Sequence, residues 1–164
     1  MIKKEEYLAL KEKEYNEWVK DVTNRLNKEY EISLDVSLDE KTRRQAIHNI
    51  VFISFEIKEY DPHNRFDKEY YETVFNECER IWRSLEREFK CEWLSDNELA
   101  VDINCRSLPY FCKMIANMYD LHSGMFTFDS SFTTHEAFTK SNHKIYLSSL
   151  DDGRGLIKFN LLRK

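Results

Sequence analysis

The first 61 residues contain neither glycine nor proline, and the whole chain of 164 residues holds only 3 Gly and 2 Pro. A chain so short of the residues that build tight turns has few places to reverse direction, so long helices are expected. Residues 3–28 read as one amphipathic helix. Tyr7, Leu8, Tyr15, Trp18, Val19, Val22 and Leu26 recur near the helical period, and Lys and Glu fill much of the rest. Asp21 and Arg25, four apart, should attract, whereas Glu17 and Asp21 should repel. Each such pair is worth about 0.2–0.5 kcal/mol, so the apolar face is the stronger evidence.

After this helix, "YEISLDVS" (Tyr30 to Ser37) alternates Ile32, Leu34 and Val36 with polar residues, the pattern of a short strand or extended connector. "SLDE" then offers Ser37 as an N-cap with Glu40 three residues on, a capping box that would start a helix near Leu38. The apolar stretch "HNIVFISFEIKEYDP" (His48 to Pro62) fits two templates. As a strand, Val51, Ile53, Phe55 and Ile57 share one face. As a helix, Ala46, Ile47, Ile50, Val51, Ile53, Ile57 and Tyr60 fall within about half the circumference, with Phe52 and Phe55 outside it. β-branched content favours the strand; the capping box and the unbroken run favour the helix, which is the expectation taken forward.

"DPHN" (Asp61 to Asn64) is a turn signal, and residues 66–90 carry the clearest helical stripe: Tyr70, Tyr71, Val74, Cys78, Ile81, Trp82, Leu85 and Phe89. Beyond "CEWLSDNE" the texture changes. "LAVDIN" (Leu99 to Asn104) reads as a strand. Ser107 can cap a helix with Pro109 in its first turn, its inner face lined by Phe111, Met114, Ile115 and Met118 and its end near "HSG". "MFTFD" (Met125 to Asp129) reads as a strand, "TTHEAFTK" as one or two helical turns, and "KIYLSSL" and "LIKFNLL" as strands joined by "DDGRG", the best hairpin signal in the chain. The expected class is α+β: an N-terminal bundle of three long helices over residues 1–92, then a small, mostly antiparallel sheet with one packed helix over 93–164, in the order β-α-β-(α)-β-β. The two parts form either separate subdomains or one compact domain.

The net charge is −5. Residues 1–92, with 17 basic and 22 acidic side chains, account for all of it; residues 93–164 carry eight of each. Neither half shows the basic excess of a general phosphate binder, so direct nucleic-acid binding is the less favoured reading. Folding would have to gather Arg43, Arg44, Arg80, Arg83 and Arg87 to supply a basic patch. No apolar run follows "MIKKEEY", and none approaches the roughly 20 residues that span a bilayer. The expected setting is therefore cytoplasmic, including the host cell of a phage, with no membrane and with Cys78, Cys91, Cys105 and Cys112 as free thiols.

Motif chemistry is sparse. Cys105, Cys112 and His122 lack zinc-site spacing, and Cys112 fits a core position. No Gly-x-Ser-x-Gly elbow or phosphate loop occurs, so no metal, no cofactor and no catalysis are expected. His135 and Glu136, with Asp129 nearby, form a polar cluster of the kind that decorates a short helix or lines a cleft.

Paired carboxylates supply one catalytic alternative. Asp35, followed by Glu56 and Lys58 in "FEIK", resembles the acid-then-Glu-x-Lys core of PD-(D/E)xK nucleases over residues 30–60. The resemblance implies two acids holding Mg²⁺ and a lysine activating or positioning water. It requires adjacent strands, whereas a helical 38–60 turns Glu56 and Lys58 about 160° apart.

The favoured expectation is a non-catalytic protein-binding module. Aromatics set among charges, as in "RFDKEYYETVF", suit protein interfaces. Tyr70, Tyr71, Asp151, Asp152 and Arg154 are the candidate partner-binding residues. An acidic, motif-poor chain of this size fits a small inhibitor of a larger nucleic-acid-acting machine. Anti-CRISPRs and other phage anti-defence proteins, immunity proteins and antitoxins are similar in general type. The partner would then be a basic, nucleic-acid-binding protein met by the acidic N-terminal half.

Overall fold

A computed structural model describes residues 1–61, 66–103, 107–122 and 134–162. Three long helices come first: α1 (Lys4–Leu34), α2 (Glu40–Tyr60) and α3 (Lys68–Glu88). A hairpin of β1 (Cys91–Ser95) and β2 (Glu98–Val101), helix α4 (Leu108–Tyr119), and strands β3 (Thr134–Phe138), β4 (Lys144–Ser149) and β5 (Gly155–Lys158) follow. The α+β class with three leading helices is as expected.

Tyr30–Ser37 is not a strand. α1 continues through Ile32 to Leu34, because no residue there interrupts the backbone ladder and each added helical residue gains a hydrogen bond. Leu34 and Val36, whose alternation suggested a strand, are exposed. Asp35 closes a tight turn, its carboxylate accepting from the Ser37 backbone N–H at 3.0 Å and from the Ser37 hydroxyl at 2.6 Å. Ser37 is thereby occupied and the expected capping box does not form. Asp39 caps α2 instead, accepting from the Thr42 N–H at 2.7 Å.

The chain divides into two compact units, Ala9–Lys68 and Met1–Leu8 with Glu69–Lys164. In the first, α1 and α2 run antiparallel and are laced along their length. Trp18 stacks on Tyr60 with ring centroids 4.2 Å apart, Arg25 binds Glu56, and Glu29 accepts from Asn49 at 3.2 Å. Val22, Ala46 and Ile53 are buried.

In the second unit α3 buries Val74, Phe75, Cys78, Ile81, Trp82 and Leu85. They share one core with the inner face of a five-stranded antiparallel sheet of order β1-β2-β5-β4-β3. One inner row crosses every strand: Trp93, Leu99, Ile157, Leu147 and His135 are successive partners. Trp82 packs edge-on against Trp93 and Phe159, at 5.4 and 5.2 Å between centroids. Tyr7, at the start of α1, is buried against Phe75. Asn97, buried in the β1–β2 turn, accepts from the Phe159 N–H with its carbonyl and from the Leu161 N–H with its side chain. That polar staple seats the C-terminal segment, whose Phe159 and Leu161 complete the core.

Ser107 caps α4 with Pro109 in the first turn, as expected. The buried face of α4 is Phe111, Cys112, Ile115 and Tyr119; Met118, expected inside, is exposed. Two strand assignments also change. Cys91–Ser95 pairs with β2, and Thr134–Phe138, expected as helical turns, pairs with β4 residue for residue. Among the described residues the second half therefore runs β-β-α-β-β-β. The expected strand at Met125–Asp129 lies outside the described residues.

Candidate protein interface

α2 is apolar on both sides. At about 100° per residue, Ala46, Asn49, Ile50, Ile53, Glu56, Ile57 and Tyr60 occupy the arc from about 180° to about 300° relative to Ile47. This side faces α1 through the Trp18–Tyr60, Glu29–Asn49 and Arg25–Glu56 contacts. On the opposite side lie Ile47 at 0°, Val51 at about 40°, Phe55 at about 80° and Phe52 at about 140°. These four are 53%, 47%, 61% and 70% exposed. Two phenyl rings and two branched aliphatics on one solvent-facing arc are not needed to hold α2 on α1. Exposed Arg44 at about 60° and His48 at about 100° stand among them.

Asp35, Glu56 and Lys58 do not form a site. Asp35 lies in the α1–α2 turn, while Glu56 comes 16 residues after the first residue of α2, about 24 Å along the helix axis. Glu56 is gripped by Arg25, Nη1 donating to Oε2 at 3.0 Å and Nη2 to Oε1 at 2.6 Å. Those bonds hold its carboxyl below the usual range, and Arg25 also binds Asp21 at 3.0 Å. Lys58, on a helix and not a strand, is turned about 160° from Glu56. The side-by-side geometry that the nuclease resemblance implies is therefore not met.

Of the two candidate tyrosines, Tyr71 packs at the edge of the core, T-shaped against Tyr7 and Tyr70, while Tyr70 is exposed. Asp152 and Arg154 serve the β4–β5 turn. Asp152 accepts from the Arg154 N–H and Nε, and Arg154 reaches Glu92 on β1 at 2.6 Å. Asp151 is exposed in the same turn. His135 faces the inner sheet row, and burial pushes its imidazole pKa down. Glu136, its neighbour on the strand, points to the other side and pairs with Lys144 at 3.5 Å. They do not share a cleft, and Asp129 lies outside the described residues.

Arg80, Arg83 and Arg87 do gather, lining a depression of about 550 Å³ with Glu86 on α3. They sit in the last turns of a helix whose first turn carries Glu69, a distribution that complements the helix dipole. Arg43 and Arg44 belong to the other unit, where Arg44 pairs with Glu40 at 2.6 Å. Among the described residues, no group of three or more His, Cys, Asp or Glu is placed to hold a metal ion, and no helix is long and apolar enough to cross a membrane. Cys112 is buried in the core, and Cys105 lies outside the described residues.

The apolar arc of α2 was present in the sequence as an excess. Phe52 and Phe55 fell outside the expected apolar face, whereas Ile47 and Val51, expected within it, are exposed on the same side as the two phenyl rings. No protein-family model, no curated protein and no solved structure matches this chain.

Proposed function

We propose that this chain is a protein-binding module without catalysis, whose working surface is the outer face of α2. One observation carries the reading: Ile47, Val51, Phe52 and Phe55 stand exposed on a helix that is anchored by its other face. An anchored helix presents its side chains with little conformational entropy left to lose on binding, and aromatic anchors of this type dominate binding energy at protein interfaces. The biological form of the proposal is a small inhibitor that docks on a larger nucleic-acid-acting machine. The acidic surplus of residues 1–92 would steer it toward a basic partner, while the apolar face would supply affinity.

The test is comparative capture from a host lysate by the wild-type chain and by Phe52→Asp/Phe55→Asp, at low and high salt. The proposal expects a protein bound by the wild type and lost by the double variant. Equal capture by both chains, or none by either at both salts, would refute it.

A further inference from the structure

The exposed face of α2 is self-complementary, and we infer that it pairs with the same face of a second copy of this chain, the two α2 helices antiparallel. The inference rests on the reading of this face as an interface and names its occupant. The apolar arc, from Ile47 at 0° to Phe52 at about 140°, is centred near 70°. Two charged rims flank that centre almost evenly. Glu40 and Lys58 both lie at about 20°, and Lys41 and Glu59 both lie at about 120°. Each rim thus carries opposite charges at opposite ends of the helix, and all four side chains are exposed.

A two-fold axis in the plane of the interface, passing near Ile50, brings each rim against the same rim of the partner running the other way. Lys41 and Glu59 are equally far from Ile50 along the helix, so Lys41 falls opposite the partner's Glu59. On the other rim, Glu40 falls within about 3 Å of the level of the partner's Lys58. The apolar side chains mesh in the same register. Ile47 stands about 4.5 Å from the axis, between the levels of the partner's Phe52 and Phe55 at about 3 and 7.5 Å. Val51 lies beside the partner's Val51, and Arg44 falls between the levels of the partner's Phe55 and Glu59. A parallel pair would instead exchange the rims and set Lys41 near the partner's Glu40 and Glu59 near the partner's Lys58, so the Lys41→Glu/Glu59→Lys swap, which restores only the antiparallel pairing, separates the two. An interface that matches itself under a two-fold is the signature of an isologous dimer.

The area sets the strength. Phenyl side chains bury roughly 150–250 Å² each, so four residues exposed by about half to two-thirds hide on the order of 450 Å² per copy. The total, about 900 Å², lies below the roughly 1,200 Å² of stable specific interfaces. The dimer is therefore weak and reversible.

Sedimentation velocity of the full chain from about 5 µM to about 500 µM tests this. The wild type should shift from monomer to dimer over that range, and Phe52→Asp/Phe55→Asp should remain monomeric. Lys41→Glu should weaken the dimer about tenfold, and Lys41→Glu/Glu59→Lys should restore it. Val51→Cys should form an interchain disulfide under mild oxidation, because the two copies meet there.

A wild-type chain that stays monomeric throughout overturns the self-pairing. So does a dimer that survives the double aspartate variant, or one in which the charge swap restores nothing. None of these outcomes touches the binding reading, which stands or falls on the capture comparison. Capture of a different protein that requires Phe52 and Phe55, by a chain that is itself monomeric, would assign the face to that protein instead.

Discussion

The guanidinium of Arg25 straddles the carboxylate of Glu56, with two hydrogen bonds of 3.0 and 2.6 Å between α1 and α2. A third bond, from Nε to Asp21 at 3.0 Å, fixes the guanidinium plane. Lys cannot reproduce this fork. Arg25→Lys should therefore cost nearly as much as Arg25→Ala. Both side chains are about two-fifths exposed, so solvent screening limits the cost to about 0.5–1 kcal/mol. The pH dependence has a definite sign. Glu56 has a lower carboxyl pKa in the folded chain than its ordinary 4.5, chiefly through the Arg25 bonds. Its contribution is complete above the ordinary value and is lost as pH falls through the folded one. Urea midpoints at neutral pH should separate wild type from Glu56→Gln, and the gap should close under acid.

Gly155 lies under the ring of Phe111. A Cβ at this position would fall inside van der Waals contact of ring carbons Cε2 and Cζ. Both residues are buried, so neither sheet nor helix has free space to yield. Gly155→Ala should cost about 1–3 kcal/mol by overpacking. Combining it with Phe111→Leu, which vacates the clash, should cost clearly less than the sum of the two single changes. Additive losses in thermal unfolding would show that the contact is not the cause.

These residues also mark what could be read in advance. The stripe of α3 and the cap of α4 were legible because each follows from local spacing: one apolar face, one Ser with a Pro two residues on. The "DDGRG" turn was legible too, with Gly153 in the left-handed region at φ 86°. The strand Thr134–Phe138 was not. Its Ala137 and His135 face inward only because Ile145 and Leu147 lie beside them on β4, a partner that no local window contains. The exposed apolar face of α2 was half legible. The sequence holds more apolar residues on α2 than one face can use, but the cross-links from Arg25, Glu29 and Trp18 decide which face stays open.

Tyr15 donates to Asp61 at 2.5 Å, tying the middle of α1 to the C-terminal cap of α2. Burial, and then the bond to and charge of Asp61, push the phenol up to about 12 from 10.0. The protonated phenol is the stabilising form. Its contribution is complete below pH about 10 and is lost as pH rises through about 12. Burial also raises the Tyr119 phenol, so ultraviolet titration of phenolate should show one fewer late-titrating tyrosine in Tyr15→Phe than in wild type. If wild type loses one more phenol proton than Tyr15→Phe by pH about 11, the bond does not persist in solution.

Phe52 and Ile53 are adjacent in sequence but report on opposite sides of α2. Ile53 is 7% exposed on the α1 side and Phe52 is 70% exposed on the other. Ile53→Ala removes packed methyl groups and should cost about 2–5 kcal/mol. Phe52→Ser removes a larger side chain that touches little, and should change stability by no more than about 0.5 kcal/mol. The order inverts what side-chain size alone would give, because buried contact, not volume, sets the cost. Thermal unfolding at a dilution that favours monomer measures both. Raising the protein concentration should then stabilise the wild type relative to Phe52→Ser, since only the wild type gains from pairing. A Phe52→Ser chain as unstable as Ile53→Ala would place Phe52 inside the fold and leave α2 no free apolar face to offer.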